Sequence, residues 1–215
     1  MNRNLFLIGK RICFIGAHPD DIELGCGALI ANIAGRAELL CLTLSDNKKN
    51  PELQNLVNEH RVSMAILGIK PELDIVKDFE TRRFPHSRQE ILETMLDVRR
   101  EFKPDLVFVH TKNDIHQDHI TTTEEALRAF RGTTVLGFDV LRSSYGFFPH
   151  FLFEVNEADV EKKIEALSAY TTYKERYYFD KEITRSTLIR YGALAERAYA
   201  EGFDIIRVVA QFGLD

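Results

Sequence analysis

Two short segments hold the densest clusters of histidine and carboxylate side chains in this 215-residue chain. The first is Ala17–Asp21, which reads AHPDD, and the second is Asn113–His119, which reads NDIHQDH. Histidine and aspartate suit borderline ions such as zinc, and a catalytic zinc site has three protein ligands and one open position. His18, Asp21 and His119 match that number and those types of ligand. The two clusters therefore indicate a site for one divalent metal.

The remaining polar residues of the clusters are candidates for catalysis. Side chains three positions apart in a turn lie on one side, so His18 and Asp21 can bind one ion while Asp20 points elsewhere and is free to act. His116 has the same spacing within the second cluster, which makes it a candidate acid beside the metal. Asp118 is the carboxylate that we expect to pair with His116.

Each cluster also has a structural interpretation. The aspartates of a His-Pro-Asp-Asp turn can cap the following helix. Gly25 and Gly27 open the same helix after a strand, as in a dinucleotide-binding loop, but the GxGxxG spacing is incomplete and two carboxylates would repel a pyrophosphate. The glycines more simply allow close backbone approach, for helix packing or for substrate. A nucleotide-binding oxidoreductase and a non-catalytic sugar-binding module are the alternative functions.

Five apolar runs alternate with helical patterns, which predicts an α/β fold with a mostly parallel sheet and helices on both faces. We expect these strands at 12–16, 38–44, 73–76, 106–110 and 134–138. In a sheet of order 3-2-1-4-5, the first and fourth strands are neighbours at the switch point, and ligands bind beyond their carboxyl ends. The two polar clusters follow those two strands, so they should face each other.

Local signals define the other elements. Ser87–Glu90 has the pattern of a capping box, Gly68 should end the helix before the third strand, and Asn156 should be the N-cap of a later helix. A second late helix is expected from about 182 to 201, and a closing strand from 203 to 209. Without repeats or a linker, residues 1–215 are predicted to form one domain.

Composition indicates a soluble protein with a small-molecule substrate. Hydrophobic residues make up 45% and charged residues 28%, which is a globular balance. The net charge of -5 argues against nucleic-acid binding, and no apolar run has membrane length. Cys13, Cys26 and Cys41 form no CxxC pair, which favours reduced thiols and a cytoplasmic location. Whether the chain forms a homo-oligomer is left open.

The two clusters together resemble the LmbE-like (PIG-L) deacetylase family, and the resemblance extends over nearly the whole chain. The matching motifs and the segments that support them are Ala17–Asp21 with Glu23–Gly27, His116–His119, Ser63–Gly68, Pro104–His110 and Tyr199–Phe203. The resemblance implies a single Rossmann-like domain. It also implies zinc-dependent removal of N-acetyl groups from N-acetylglucosamine-containing compounds, with Fe²⁺ or Co²⁺ as other candidate ions.

The resemblance also implies roles for residues. By position, Asp20 matches the general base, His116 the oxyanion stabiliser or acid, and Asp118 the partner of that histidine. The family's metal ligands match His18, Asp21 and His119. Either Asp20 or His116 would give the proton to the leaving amine. The implied substrate is a small amino sugar.

One departure concerns substrate binding. Many members of the family have a substrate-contacting arginine about where Leu56 or Val57 stands here. Arg61 does not clearly replace it. Arg82 or Arg83, after the third strand, could supply the cation, although ordinary surface charge is the simpler interpretation of that pair.

Overall fold

The architecture was analysed in a computed structural model, which describes residues 7–210. Within them, seven strands and six α-helices alternate along most of the chain. The strands are β1 (Arg11–Gly16), β2 (Glu38–Thr43), β3 (Asp74–Val76), β4 (Leu106–His110), β5 (Thr134–Phe138), β6 (Phe151–Val155) and β7 (Tyr199–Arg207). The helices are α1 (Asp21–Ile33), α2 (Leu56–Ile66), α3 (Arg88–Phe102), α4 (Gln117–Ala129), α5 (Glu157–Ser168) and α6 (Lys181–Leu194).

All seven strands belong to one sheet with the order β3-β2-β1-β4-β5-β7-β6. The first five strands in this order are parallel to one another, which confirms the predicted order 3-2-1-4-5. β7 is antiparallel to both β5 and β6. The predicted single domain covered residues 1–215, of which 1–6 and 211–215 lie outside the described residues.

Alternation along the central strands divides the core between the two faces of the sheet. Ile12 and Phe14 of β1 pack with α1, α2, α5 and α6, whereas Cys13 and Ile15 pack with α3 and α4. Because both faces are covered, the central strands are apolar along their whole length. None of the helices within residues 7–210 is long and apolar enough to cross a bilayer. The three cysteines are buried and form no disulfide.

The end of the chain differs from the sequence-based expectation. Helix α6 ends at Leu194 and not near Glu201, because the chain reverses through Glu196 at a φ of 54°. Residues 199–201 instead begin β7 and pair with β6, a strand that the sequence analysis missed. β6 is an edge strand of only five residues, and an apolar run of that length does not by itself distinguish a strand from a buried helix segment.

The predicted helix ends have mixed outcomes. Asn156 caps α5 in a reciprocal capping box with Asp159, and Gly68 follows α2 at a φ of 88°. Both were predicted. The capping box at Ser87 is wrong, because its side chain makes no capping hydrogen bond. A 3-10 turn at Phe84–His86 leads directly into α3, so the backbone enters the helix without an extended N-cap residue.

A buried ion pair binds the backbone of α1 in the middle of the helix. Lys163 of α5 and Glu201 of β7 are 2.7 Å apart and almost fully buried. The amides of Ala28 and Leu29 donate to the Glu201 carboxylate, and the Lys163 ammonium donates to the carbonyl of Leu24. The C-terminal strand is thereby attached to the helix that follows the first polar cluster.

We expect Lys163→Met to reduce the free energy of unfolding by about 3 to 5 kcal/mol, because it leaves the Glu201 carboxylate buried without its counter-ion. The double variant Lys163→Met/Glu201→Gln should recover part of that loss, since both charges are removed. Urea unfolding measures both. The neighbouring Lys162 is exposed, so Lys162→Met is the control and should change the free energy of unfolding by less than about 0.5 kcal/mol. An equal loss in Lys163→Met and Lys162→Met would contradict the stabilising role of the buried ion pair.

Candidate active site

The two polar clusters meet at the carboxyl ends of β1 and β4, as predicted. Three atoms converge there. Nδ1 of His18 lies 3.4 Å from Oδ2 of Asp21 and 3.3 Å from Nε2 of His119. That Nε2 is itself 3.4 Å from the same Asp21 oxygen. These atoms are close enough together to act as ligands of one metal ion.

A second carboxylate stands behind each of these histidines. Oδ2 of Asp118 is 3.0 Å from Nε2 of His18, and Oδ2 of Asp114 is 2.8 Å from Nδ1 of His119. A carboxylate accepts a hydrogen bond, so it places the imidazole proton on the nitrogen that faces away from the centre. The opposite nitrogen of each ring then directs a lone pair towards Asp21. Two lone pairs and a carboxylate oxygen repel one another unless a cation or a proton lies among them.

The pKa shifts of the three residues follow from this arrangement. Burial acts to lower the pKa of His18, but the hydrogen bonds to Asp118 and Asp21 raise it to about 10, so without a bound cation a proton occupies its Nδ1 at pH 7. A metal ion would displace that proton and leave the lone pair as a ligand. Burial also opposes ionisation of Asp21, yet the His119 and His110 rings hold its pKa well below the usual value. Burial lowers the pKa of His119 to about 4, which keeps that ring neutral at pH 7 and able to act as a ligand.

His110, the last residue of β4, contacts two of the three converging residues. Its Nε2 accepts the amide of Ala17 at 3.1 Å and lies 3.4 Å from Asp21. Its ring stacks on His119 with the centroids 3.8 Å apart. Nδ1 of His110 is buried without a hydrogen-bond partner among the described residues. From its position at the end of the fourth strand, His110 is expected to be able to orient a ligand, and in the structure it contacts Asp21 and His119.

Asp20 is held in a strained backbone conformation beside the convergence. Its φ is 107°, a region that residues with a Cβ atom rarely occupy, and its side chain makes no capping hydrogen bond to α1. The helix-cap interpretation of this aspartate therefore fails. Burial, together with the charge of Asp21, raises the pKa of Asp20 well above its ordinary value. A strained and buried carboxyl group that lines a cleft is typical of a functional residue.

Backbone strain at Asp20 predicts an unusual order of stability between two variants. Both Asp20→Ala and Asp20→Gly remove the carboxyl group, but only glycine relieves the positive φ, so we expect the glycine variant to be more stable by about 1 to 3 kcal/mol. Asp180, the N-cap of α6 at a φ of -62°, is the matched control, because its glycine and alanine variants should differ only by the ordinary N-cap preference. Thermal unfolding of all four proteins measures the difference, and equal differences at the two positions would show that Asp20 is unstrained.

His116 and Asp118 are neighbours in the site but do not pair as expected. Nδ1 of His116 accepts the backbone amide of Asp118 at 3.2 Å. The Asp118 carboxylate instead contacts Nε2 of His18 and accepts the amides of Arg82 and Phe84, at 2.6 Å and 3.3 Å. Asp118, in the first turn of α4, therefore contacts the segment that follows β1 and the loop that follows β3. Burial, followed by the charge of His18, lowers the pKa of His116, so its ring is neutral at pH 7.

A buried network beneath the site was not predicted. The helical pattern around His60 of α2 favours a position at the surface or on the helix flank, but the residue is fully buried. Its Nδ1 is 3.1 Å from Glu23 and 3.0 Å from the hydroxyl of Tyr170, and its Nε2 is 3.0 Å from Asp74. Burial acts to lower the pKa of His60, but Glu23 and Asp74 raise it to about 10. An imidazolium between two carboxylates thus joins α1, α2 and β3 to the loop after α5.

That loop forms one wall of a cleft of about 540 Å³, which lies within the range of small-molecule sites. Tyr173, Arg176 and Tyr178 line the wall, and the sequence analysis singled out none of them. Of the arginines considered as replacements for the missing family arginine, Arg82 lines the cleft, whereas Arg61 and Arg83 do not. Leu56, at the position of that arginine, is buried against Tyr170 and Tyr173.

The glycines of α1 serve close packing. A Cβ atom on Gly25 would lie 2.3 Å from the ring of Phe138, and one on Gly27 would lie 3.0 Å from the Lys163 side chain. Of the two interpretations of these glycines, the structure supports close approach of the helix to its neighbours. A role as a phosphate-binding loop is not needed to explain them.

Comparison with known proteins identifies the family. The sequence model of the family described as PIG-L: GlcNAc-PI de-N-acetylase matches residues 13–130, which include both polar clusters. This chain belongs to the PIG-L family. A relative from Escherichia coli (strain K12), described as the uncharacterized deacetylase YaiS, is 27% identical over 169 residues, covering 75% of this chain and 90% of the relative.

Solved structures of low sequence identity share the fold of this PIG-L family chain. The N,N'-diacetylchitobiose deacetylase from Pyrococcus horikoshii is 18% identical with a TM-score of 0.77, over 92% of this chain and 84% of that one. GalB, the 4-carboxy-2-hydroxymuconate hydratase from Pseudomonas putida KT2440, is 19% identical with a TM-score of 0.74, over 96% and 100%. A hydrolase and a hydratase therefore share this architecture, so the reaction must be argued from the site.

Proposed function

We propose that this protein is a metal-dependent hydrolase that removes the N-acetyl group from an amino sugar. Three lone-pair atoms, on His18, Asp21 and His119, converge within 3.4 Å of one another, and this observation carries the proposal. Two histidines and one carboxylate suit zinc, with iron(II) or cobalt(II) as alternatives. Membership of the PIG-L family supports the acetamide as the reacting group. The three buried free thiols support a cytoplasmic location.

A divalent ion held by the three residues would supply Lewis-acid polarisation and a water of lowered pKa. Asp20 accepts the proton of the attacking water, since burial and the charge of Asp21 raise its pKa and make it a stronger base than an ordinary carboxylate. His116 is neutral, and its Nδ1 accepts the Asp118 amide, so the proton lies on Nε2. That N–H donates to the developing oxyanion. Asp20 then returns the proton to the leaving amine.

Metal content gives the first test of the proposed function. Protein stripped with a chelator and reloaded should retain one zinc, iron(II) or cobalt(II) ion per chain, and alanine at His18, Asp21 or His119 should abolish retention. Asp114→Asn should reduce affinity about 10- to 100-fold, because it removes the group that orients His119. The exposed His86 serves as the control, and His86→Ala should bind as the parent does. Normal retention by the three alanine variants would refute the ligand set.

The reaction itself distinguishes the alternatives. Metal-loaded protein should release acetate from N-acetylhexosamines offered as free sugars, glycosides and nucleotide conjugates. Hydration of a conjugated carboxylic acid without acetate release would place the chain with the hydratases of this fold. Sugar binding without turnover would indicate a binding module, and nicotinamide or flavin binding without metal retention would indicate an oxidoreductase.

Adjacent aspartates should lose different properties when changed to asparagine. Asp20→Asn cannot accept a proton, so kcat should fall roughly 10²- to 10⁴-fold while metal content and KM change little. Asp21→Asn removes a charged ligand, so metal affinity should fall and excess ion should restore part of the activity. Metal analysis beside steady-state kinetics compares them. If Asp20→Asn loses the metal and Asp21→Asn keeps it, the two roles are reversed.

A further inference from the structure

Two arginines on the cleft wall share one hydrogen-bond acceptor. Nη1 of Arg176 donates to the hydroxyl of Tyr178 at 2.6 Å, and Nη1 of Arg142 lies 3.4 Å from the same oxygen. Arg176 also lies over the ring of Tyr173 at 3.8 Å, and Arg142 lies over the ring of Tyr178 at 5.9 Å. A hydrogen bond and an aromatic face therefore hold the half-buried Arg176 in place, whereas the exposed Arg142 makes only long contacts with the same tyrosine.

Neither arginine has an acidic partner. Within residues 7–210, no carboxylate lies within 4.0 Å of the nitrogens of Arg142 or Arg176. The cleft lysines differ, since Lys48 is 3.3 Å from Asp46 and Lys49 is 2.7 Å from Glu80. Because neither guanidinium forms an ion pair, the two adjacent positive charges repel each other, and the charge of Asp20 acts on Arg176 without direct contact. A bound anion would reduce the remaining repulsion.

The chemistry of the arginine pair selects the kind of anion. Guanidinium groups bind phosphate and carboxylate through paired hydrogen bonds, and they lose less hydration than an ammonium group does. Both arginines line the same cleft as Asp20 and His116, so a ligand in that cleft can meet the arginines and the reacting groups together. A cleft of about 540 Å³ accommodates a ligand of drug size, which extends well beyond an acetamide.

We propose that Arg142 and Arg176 bind an anionic group of the substrate, a phosphate or a carboxylate carried by the N-acetylated amino sugar. The inference rests on the proposed deacetylase function and specifies its substrate class. It also accounts for the lost family arginine near Leu56, because the cation is supplied here by the loop after α5 and by the segment after β5. Arg142 is the better position to test, since Arg176 is close enough to Asp20 to act on its charge.

The experiment compares neutral and anionic substrates that differ in one group. Metal-loaded protein is assayed with N-acetylglucosamine, its 1-phosphate, its 6-phosphate, its uridine diphosphate conjugate and its 3-O-lactyl ether, which carries a carboxylate. At least one anionic compound should be turned over with kcat/KM more than about 10-fold above the neutral sugar. Arg142→Gln should raise KM for that compound about 10- to 100-fold, leave kcat nearly unchanged and leave the neutral sugar unaffected. Arg142→Lys should give an intermediate loss.

The matched control is Arg131→Gln. Arg131 is exposed and precedes β5, so it lies at the amino-terminal ends of the parallel strands, whereas the cleft lies at their carboxyl ends. This variant should behave as the parent does with every substrate. Raising the ionic strength should increase KM for the anionic substrate in the parent and much less in Arg142→Gln, because that variant has lost one of the two charges.

Binding of inorganic phosphate, followed by calorimetry, separates this inference from the proposed function. Phosphate also binds metal ions, so the deciding quantity is the difference between the parent and Arg142→Gln. Weaker binding in the variant, without acetate release from any sugar, would support the anion site and refute the deacetylase. Acetate release that is equally efficient for neutral and anionic sugars, or an equal loss for both in Arg142→Gln, would overturn the anion site and leave the deacetylase standing.

Discussion

Parallel pairing of β1 with β4 is the constraint on which the rest of the site depends. The register sets Phe14 opposite Phe108, so the two strands end at the same level and the chain leaves both on the same side of the sheet. Helices α1 and α4 begin within a few residues of those ends, and the polar clusters lie in the connecting segments and the first turns of these helices. The positive ends of two helix dipoles therefore lie near a group of buried carboxylates, which favours their ionised forms.

Charge balance explains the composition of the site. Four aspartates, at 20, 21, 114 and 118, are buried around four histidines, at 18, 110, 116 and 119. The rings of His116 and His119 are neutral at pH 7, so the histidines alone do not compensate the carboxylates. The four aspartates nevertheless have different roles. Asp114 and Asp118 orient imidazole rings, Asp21 faces the ring nitrogens, and Asp20 lines the cleft. A divalent cation at the convergence would lower the electrostatic cost of burying so much negative charge, which supports the proposed metal dependence.

Features that depend on local sequence pattern could be predicted, whereas side-chain contacts between residues distant in sequence could not. The five parallel strands and the meeting of the two clusters follow from apolar runs and the switch-point rule, and both are present. His60 looked exposed because its neighbours in α2 are polar, and only the fold brings Glu23 and Asp74 to it. The pairing of Asp118 with His18 could not be predicted either, since it joins residues 100 positions apart. The arginines and tyrosines of the cleft wall lie on irregular segments with no periodicity to interpret.

The attachment of α1 to the end of the chain has a consequence for biosynthesis. The amides of Ala28 and Leu29 receive their carboxylate acceptor from a residue more than 170 positions later. A nascent polypeptide can therefore form the first helix and the first strands early during translation, but the ion pair that contacts the middle of that helix forms only after Glu201 has been synthesised. Contacts of such long range form late and slowly. Chains that terminate before Glu201 would leave Lys163 without its counter-ion and β5 as an open sheet edge, and exposed edges are features that chaperones and proteases act on.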